Sequence, residues 1–291
     1  MKKRVLVTGV NSYIGNAFRS YMEQYPEEAV VDGISVRNDA WKTLDFSGYD
    51  CVFDVAGIAH ADTGHVSEEV KKRYYTVNCD LTVALAQKAK EEGVRQFIFM
   101  SSAIVYGDSA PIGFQRMITR DTPPAPADFY GDSKLQAEKG ILPLADDHFK
   151  IAVLRPPMIY GKGSKGNYPV LSKMAQKLPA FPKVENCRSM LYIGNLVEFV
   201  RLVIKNEESG FFFPQNGQYS NTSQLVQMIA EAHGKHIILV GGCTVPLRLL
   251  SQATGLVNKA FGSLAYDMSM SEYKENYRRF SLEESIRLTE G

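Results

Sequence analysis

The segment Tyr130-Gly131-Asp132-Ser133-Lys134 places a phenol and an ammonium group four residues apart. On a helix that spacing puts both side chains on one face. A free tyrosine, with a pKa of about 10, is a poor base at neutral pH. A neighbouring cation favours the phenolate, which can then take a proton from a substrate hydroxyl as hydride leaves the same carbon. Upstream, Ser101-Ser102-Ala103-Ile104-Val105-Tyr106-Gly107 closes a strand-like run and offers Ser102 as a hydrogen-bonding partner for the reacting oxygen. Ser102 lacks the G-x-S-x-G elbow of a serine hydrolase, so nucleophilic hydrolysis is set aside.

A hydride needs an acceptor, and the N-terminus supplies a place for one. The apolar strand Arg4–Thr8 runs through Gly9-Val10-Asn11-Ser12-Tyr13-Ile14-Gly15 into a helical pattern. A glycine turn at a strand end followed by a helix N-terminus suits a dinucleotide pyrophosphate. Gly9, Asn11, Ser12, Tyr13, Ile14 and Gly15 are therefore expected to touch NAD or NADP. The second strand ends Ile34-Ser35-Val36-Arg37, without the acid that usually reads the NAD ribose. Ser35 and Arg37 suit a 2′-phosphate, which favours NADP slightly, although Asp32 and Asp39 lie close enough that a shifted register would reverse the preference. Asp45-Phe46, taken to follow the third strand, could bracket the adenine or could be a solvated turn. Ala56, Gly57, Ser101 and Pro157, with Tyr130 and Lys134, complete the expected cofactor contacts.

The elements that must position these groups alternate at short intervals. Strand-like runs at Arg4–Thr8, Ala29–Val36, Cys51–Val55, Phe97–Ser101 and Ile151–Leu154 are separated by helical patterns at Tyr13–Glu23 and Val70–Glu92. This predicts an α/β fold, a doubly wound parallel sheet covered by helices on both faces. Residues 1–160 form the expected cofactor domain and 161–291 a smaller, mixed α/β substrate lobe, with a segment near 188–214 returning to the first. Thirty-three basic and 32 acidic residues leave a net charge of +1, so no global field recruits nucleic acid or an anionic membrane. The four cysteines, Cys51, Cys79, Cys187 and Cys243, form no CxxC pair and match neither a zinc site nor a disulfide framework. Met1-Lys2-Lys3-Arg4 before a short apolar run reads as the first strand, not a leader, and Ile237–Val257 is too broken to span a bilayer. A cytoplasmic protein with no metal is expected.

Thr8–Gly15, Ser101–Gly107, Tyr130–Lys134 and Arg155–Gly161 together resemble the extended short-chain dehydrogenases that modify nucleotide sugars, over almost the whole chain. The resemblance implies a Rossmann-type cofactor domain, with Tyr130 as acid/base, Lys134 orienting the nicotinamide ribose and Ser102 assisting. Ser12 stands where the family has its middle glycine, which would narrow the approach to the pyrophosphate. Met158 stands where ordinary 4-epimerases and dehydratases carry asparagine. That departure is similar to a subgroup of UDP-glucose 4-epimerase-like proteins and reductases of UDP-linked 4-keto sugars. The resemblance places Arg188 at the substrate diphosphate with Asn167 beside it, and Ser263 on the uridine side; a surface ion pair with Glu185 is the plainer reading of Arg188. His60 could touch the substrate but is not counted as catalytic. The expected function is oxidoreduction at C4 of a UDP-sugar, as a 4-epimerase. An NADPH-dependent 4-keto-sugar reductase is the alternative, and a non-catalytic NADP-binding sensor is the reading from another class. Homodimerisation is common in the family.

Overall fold

The structure, a computed structural model, describes residues 2–59, 66–253 and 255–291, so His60 lies outside the described residues. The chain divides into two compact units. The first comprises 1–107, 123–156 and 197–213, and the second 108–122, 157–196 and 214–291. The first thus ends at 156 and takes back 197–213. Residues 108–122, which sequence reading leaves in the cofactor domain, belong to the second unit.

The first unit is built on a six-stranded, wholly parallel sheet, as the alternating pattern predicts. Its strands include β1 (Lys3–Thr8), β2 (Ala29–Ile34), β3 (Cys51–Asp54) and β4 (Gln96–Met100), followed by Lys150–Leu154 and Gly210–Phe212. Across the sheet the order is Gly210–Phe212, Lys150–Leu154, β4, β3, β1, β2. Register aligns Leu6, Val52, Phe97 and Ile151 in one row. All four enter one buried cluster with Leu85, Ala86, Ala137 and Ile141 from helices α3 (Leu81–Glu91) and α4 (Phe129–Ile141). Helices α1 (Tyr13–Met22) and α2 (Glu68–Tyr75) precede these two in the chain. Successive strand residues alternate between faces, so Phe53 turns the opposite way from Val52 and meets Phe18 of α1 edge-on at 5.2 Å. Both faces of the sheet are thereby covered, which is why its strands read as continuous apolar runs.

The long helical pattern Val70–Glu92 is interrupted. A π-helical turn, Thr76–Asp80, separates α2 from α3. Such turns often mark functional positions, and this one holds the fully buried Asn78.

The second unit is small-stranded and helical, as expected of the C-terminal lobe. Its core gathers Tyr160, Tyr168, Leu171, Phe181, Leu225, Ile229 and Ile286, with Tyr160 and Tyr168 stacked at 5.0 Å. Three two-stranded parallel pairs lie here: Met158–Tyr160 with Met190–Tyr192, Ala180–Pro182 with Ile238–Val240, and Met117–Ile118 with Ala265–Tyr266. Among the described residues no helix is long and apolar enough to cross a membrane.

Gln96 at the start of β4 is buried, and its amide nitrogen donates to the carbonyls of Val203 and Glu208 at 3.1 and 3.0 Å. Replacing it by leucine removes that donor from one buried and one half-buried acceptor. Gln96→Leu is expected to cost about 1–3 kcal/mol in urea unfolding, with the slope unchanged.

Candidate active site

The glycine turn Gly9–Gly15, Ala56, Gly57, Ser102, Tyr130 and Lys134 all belong to the first unit; the turn follows the carboxyl end of β1, and Ala56 and Gly57 follow that of β3. Gly9 follows β1 in a left-handed conformation, φ +71°, with its Cα so close to the next loop that a Cβ would lie 3.2 Å from Ala56 Cα. Only glycine turns the chain this way without strain. Ser12 then caps α1, its Oγ accepting from the Gly15 N–H at 3.0 Å. The serine at the family's middle-glycine position is therefore occupied as a helix cap. The N–H of Ile14 and the positive helix end remain to receive an anionic group. Tyr13 is the first residue of α1, and Asn11 is exposed in the turn before it. A turn forced by glycine, opening a capped helix, fits a dinucleotide.

At the tip of the second strand Ser35 and Arg37 are exposed, and no carboxylate pairs with Arg37 among the described residues. The two nearby acids are spent elsewhere. Asp32 sits opposite Leu6 within the ladder and accepts from Arg4 and Tyr49 at 3.1 and 3.0 Å, while Asp39 pairs with Lys42 at 2.9 Å. The register that would have put an acid at the tip is not the one adopted.

Asp45-Phe46 precedes β3 instead of following the third strand, which corrects its placement. Phe46 is fully buried in the core beneath Lys88, so its ring cannot bracket an adenine. Its N–H donates to Glu92 at 2.5 Å, and Asp45, exposed, accepts from the Ser47 N–H at 2.8 Å. The Ser101 side chain likewise turns away from the cofactor loops and donates to Glu138 at 2.5 Å. Ala56 donates to the buried Asp54 carboxylate at 3.2 Å, and a Cβ on Gly57 would fall 3.3 Å from Lys134 Nζ. The glycine loop and the lysine thus meet. Pro157 falls in the second unit, where the chain re-enters it.

Ser102, Tyr130 and Lys134 all belong to the first unit. Ser102 caps the short turn Ala103–Tyr106, its Oγ accepting from the Ile104 N–H at 3.2 Å. Asp128 caps α4 two residues ahead of Tyr130, accepting from the Gly131 N–H at 2.8 Å. Gly131 itself has no room for a side chain, since a Cβ would approach Ile104 O to 2.8 Å. That close approach seats the first turn of α4 on the Ser102 turn, and it puts the Ser102 hydroxyl close enough to Tyr130 to favour its phenolate.

The electrostatics depart from the simple expectation. Burial pushes the Tyr130 phenol up to about 12; the hydrogen bond from Ser102 opposes this and the nearby Asp128 charge adds to it. Lys134 does not act on Tyr130 in this arrangement. Its ammonium donates to the Met100 carbonyl at 2.9 Å and lies over the Phe99 ring at 4.7 Å. Burial draws Lys134 down to about 8, against the pull of the Asp54 and Glu138 carboxylates. Tyr130 is accordingly held as the phenol at neutral pH, the form that donates a proton.

Two supporting groups escape a local reading of the sequence. Asn78, in the π-helical turn, accepts from the Ile58 N–H at 2.8 Å and donates to Ile58 O and Ser133 Oγ at 3.0 and 3.1 Å. It clamps the Gly57 loop to the helix that carries Lys134. The only local signal is a lone amide inside an apolar helical stretch. Glu138, four residues after Lys134, is buried and receives Arg155 at 2.5 and 3.0 Å as well as Ser101. Arg155 also donates to Tyr106 Oη at 2.7 Å.

In the second unit, Arg188 is half-buried and donates to the carbonyls of Lys259, Ala260 and Gly262 at 2.8 to 3.3 Å, closing the end of helix Gly255–Phe261. No carboxylate, Glu185 included, pairs with it among the described residues, and burial alone lowers its affinity for a proton. Ser263 is buried, with its Oγ accepting from the Cys187 N–H at 3.1 Å, so it holds the Arg188 loop and presents no free hydroxyl. Asn167 is exposed as the first residue of helix Asn167–Lys177.

With this geometry, residues 5–212 match the NAD dependent epimerase/dehydratase family, and the chain belongs to that family. It is 32% identical over 205 residues to a UDP-glucose 4-epimerase of Vibrio cholerae, covering 67% of this chain and 62% of that protein, so it spans under two-thirds of that relative's length. It is 28% identical over 242 residues to the N-acetyl-alpha-D-glucosaminyl-diphospho-ditrans,octacis-undecaprenol 4-epimerase of Escherichia coli O157:H7, covering 80% and 70%. The fold is shared with UDP-glucuronic acid 4-epimerase of Bacillus cereus in complex with NAD, at a TM-score of 0.73 and 17% identity over 98% and 96% of the two chains. It is shared equally with dTDP-4-dehydrorhamnose reductase of Bacillus anthracis in complex with NADP, at 0.70 and 17% over 99% and 98%.

Two expectations follow. Removing Glu138 takes the bidentate carboxylate from the buried Arg155 guanidinium, so Glu138→Leu should lose about 3–5 kcal/mol in chemical denaturation; a Glu138→Leu/Arg155→Met double variant should recover part of it. Lys134, lowered to about 8 in the fold from near 10.5, binds fewer protons folded than unfolded between those values. Stability contributed through this group should therefore rise from pH 8 to 10.5, and Lys134→Met should flatten that rise relative to the wild type.

Proposed function

We propose that this protein is an NAD(P)-dependent 4-epimerase acting at C4 of a UDP-linked hexose or N-acetylhexosamine. The observation that carries the reading is the seating of Tyr130 against Ser102 on the first turn of α4, with Lys134 beside the Gly57 loop. The cofactor would lie along Gly9–Gly15, Ala56 and Gly57, and when bound its nicotinamide supplies the hydride acceptor. Tyr130 Oη takes the C4 hydroxyl proton in the oxidising direction and returns it in the reducing one. Ser102 Oγ hydrogen-bonds the same oxygen as charge develops on it. Arg188, half-buried and without a carboxylate partner among the described residues, would meet the substrate diphosphate, for which a planar guanidinium is suited. The names of the two sequence relatives favour epimerisation.

A second reading, one-way reduction of a 4-keto sugar nucleotide by NADPH, is favoured by one observation. Ser35 and Arg37 form an exposed, acid-free tip at the second strand, which suits a 2′-phosphate and inclines the cofactor toward NADP. In this reading Tyr130, held as the phenol, serves as the proton donor to the ketone oxygen.

Denaturing the purified protein and identifying the nucleotide it releases separates the two. Stoichiometric NAD supports an epimerase that retains its cofactor; an empty site that takes NADPH much more tightly than NADH supports the reductase. Tyr130→Phe should lower turnover by about 10²-fold or more while cofactor binding persists; near-full activity in that variant would remove the acid/base assignment. Arg37→Ala should weaken NADP more than NAD in fluorescence titrations, and equal losses would show that Arg37 does not read the 2′-phosphate.

A further inference from the structure

We propose that one face of the second unit, centred on strand Ile238–Val240 and helix Thr244–Ala253, docks peripherally on a bilayer carrying anionic lipids. Scattered exposed apolar side chains are ordinary; a cluster of them is not. Val245 and Leu249 are 68% and 64% exposed and lie four residues apart on one helix face, Leu250 beside them is 51% exposed, and Ile238 is 61% exposed. The core does not need these side chains. Leu239 and Leu247, on the inner sides of the same strand and helix, already pack against it. Arg248 lies over the Phe114 ring at 4.8 Å, which adds that half-exposed aromatic to the patch.

The surrounding charge identifies the occupant. From 157 to 184 the sequence has Lys162, Lys165, Lys173, Lys177 and Lys183 and no Asp or Glu. From 234 to 266 it has Lys235, Arg248 and Lys259, again with no acid. The two stretches adjoin, because Ala180–Pro182 pairs in parallel with Ile238–Val240 and Lys235 donates to the Gln176 carbonyl. Helix Asn167–Lys177 adds exposed Val170 and Met174, also four residues apart. In a chain balanced at 33 basic and 32 acidic residues, the two stretches that carry the exposed aliphatic cluster hold eight cations and no acid, with the Glu290 carboxylate reaching helix Asn167–Lys177 at Ser172 from outside them. A twofold self-interface would set these same cations against each other, whereas an anionic headgroup layer neutralises them and its acyl boundary takes the aliphatic side chains. Helix Thr244–Ala253 is half the length needed to span and carries Pro246, so contact is interfacial.

The proposal does not rest on the reaction assigned above, and its test reads no activity. The full chain is mixed with vesicles of phosphatidylcholine alone or of equal parts phosphatidylcholine and phosphatidylglycerol, then sedimented. The expected result is co-sedimentation with the mixed vesicles, at least tenfold weaker with phosphatidylcholine alone and falling with added salt. Val245→Glu/Leu249→Glu should abolish it with the melting curve retained. Should that variant fold poorly, Lys173→Gln/Lys177→Gln, on the exposed side of the neighbouring helix, should weaken binding to the mixed vesicles several-fold. Absence of binding to the mixed vesicles, or binding that both variants leave unchanged, would overturn the proposal. So would a wild-type dimer that ignores vesicles and is dissociated by Val245→Glu/Leu249→Glu, which would make this face an interface between copies.

Discussion

The buried ion pair between Glu138 and Arg155 is the constraint on which the rest of the first unit depends. Arg155 leaves the end of the strand Lys150–Leu154, Glu138 stands on α4, and Ser101 at the end of β4 joins the same carboxylate. Three elements distant in sequence are thus tied together one turn below Lys134. A buried pair of this kind is weak evidence of net stability, because desolvating two charges offsets most of their attraction. Its effect is on position. The carboxylate has one arrangement that satisfies Ser101 and both guanidinium nitrogens at once, and that arrangement fixes where α4 lies along the sheet. The axial position of α4 in turn decides whether the Tyr130 hydroxyl reaches Ser102, a contact that tolerates little error.

The ionisation of the site follows from the same burial. Tyr130 and Lys134 are both shifted toward their neutral forms, the phenol upward and the amine downward, and in each case loss of water is the largest cause. At about 8 the lysine is still largely a cation at neutral pH, but its charge is not aimed at the tyrosine. It rests on the Met100 carbonyl beside the Gly57 loop. A base for alcohol oxidation would need positive charge brought near the phenol, while an acid for ketone reduction needs none. Burial alone therefore prepares the reducing half-reaction, and the oxidising half has to be driven by what binds.

Much of this was legible in the sequence, and the parts that were not share a cause. Tyr130, Lys134 and the Ser102 turn could be paired because helical spacing and a strand-end signal are local properties. Ser12 was legible as an oddity only; that it caps α1 follows from its distance to the Gly15 N–H. Asn78 and Glu138 were missed because their partners, Ile58, Ser133, Ser101 and Arg155, come from other elements, and nothing at their own positions names those partners. Phe46 was misread because exposure is a tertiary fact: an acid followed by an aromatic looks the same whether the ring faces a ligand or the core. The assignment of 108–122 to the second unit is of the same kind, since it is decided by the pairing of Met117–Ile118 with Ala265–Tyr266, almost 150 positions away.

Net charge is the clearest case of a global quantity hiding a local one. A formal charge of +1 excludes a field strong enough to steer the whole molecule toward a polyanion. It says nothing about a face, because acids concentrated elsewhere cancel cations concentrated here. At about 8 Å of Debye screening in physiological salt, a surface is felt by what lies within a few residues of it. Residues 157–184 and 234–266 are the longest acid-free stretches of the second unit, and they carry its most exposed aliphatic side chains. Sequence segregation and exposure are independent observations, one readable from composition and the other only from the fold. Their coincidence on adjoining strands distinguishes a docking face from incidental surface hydrophobicity.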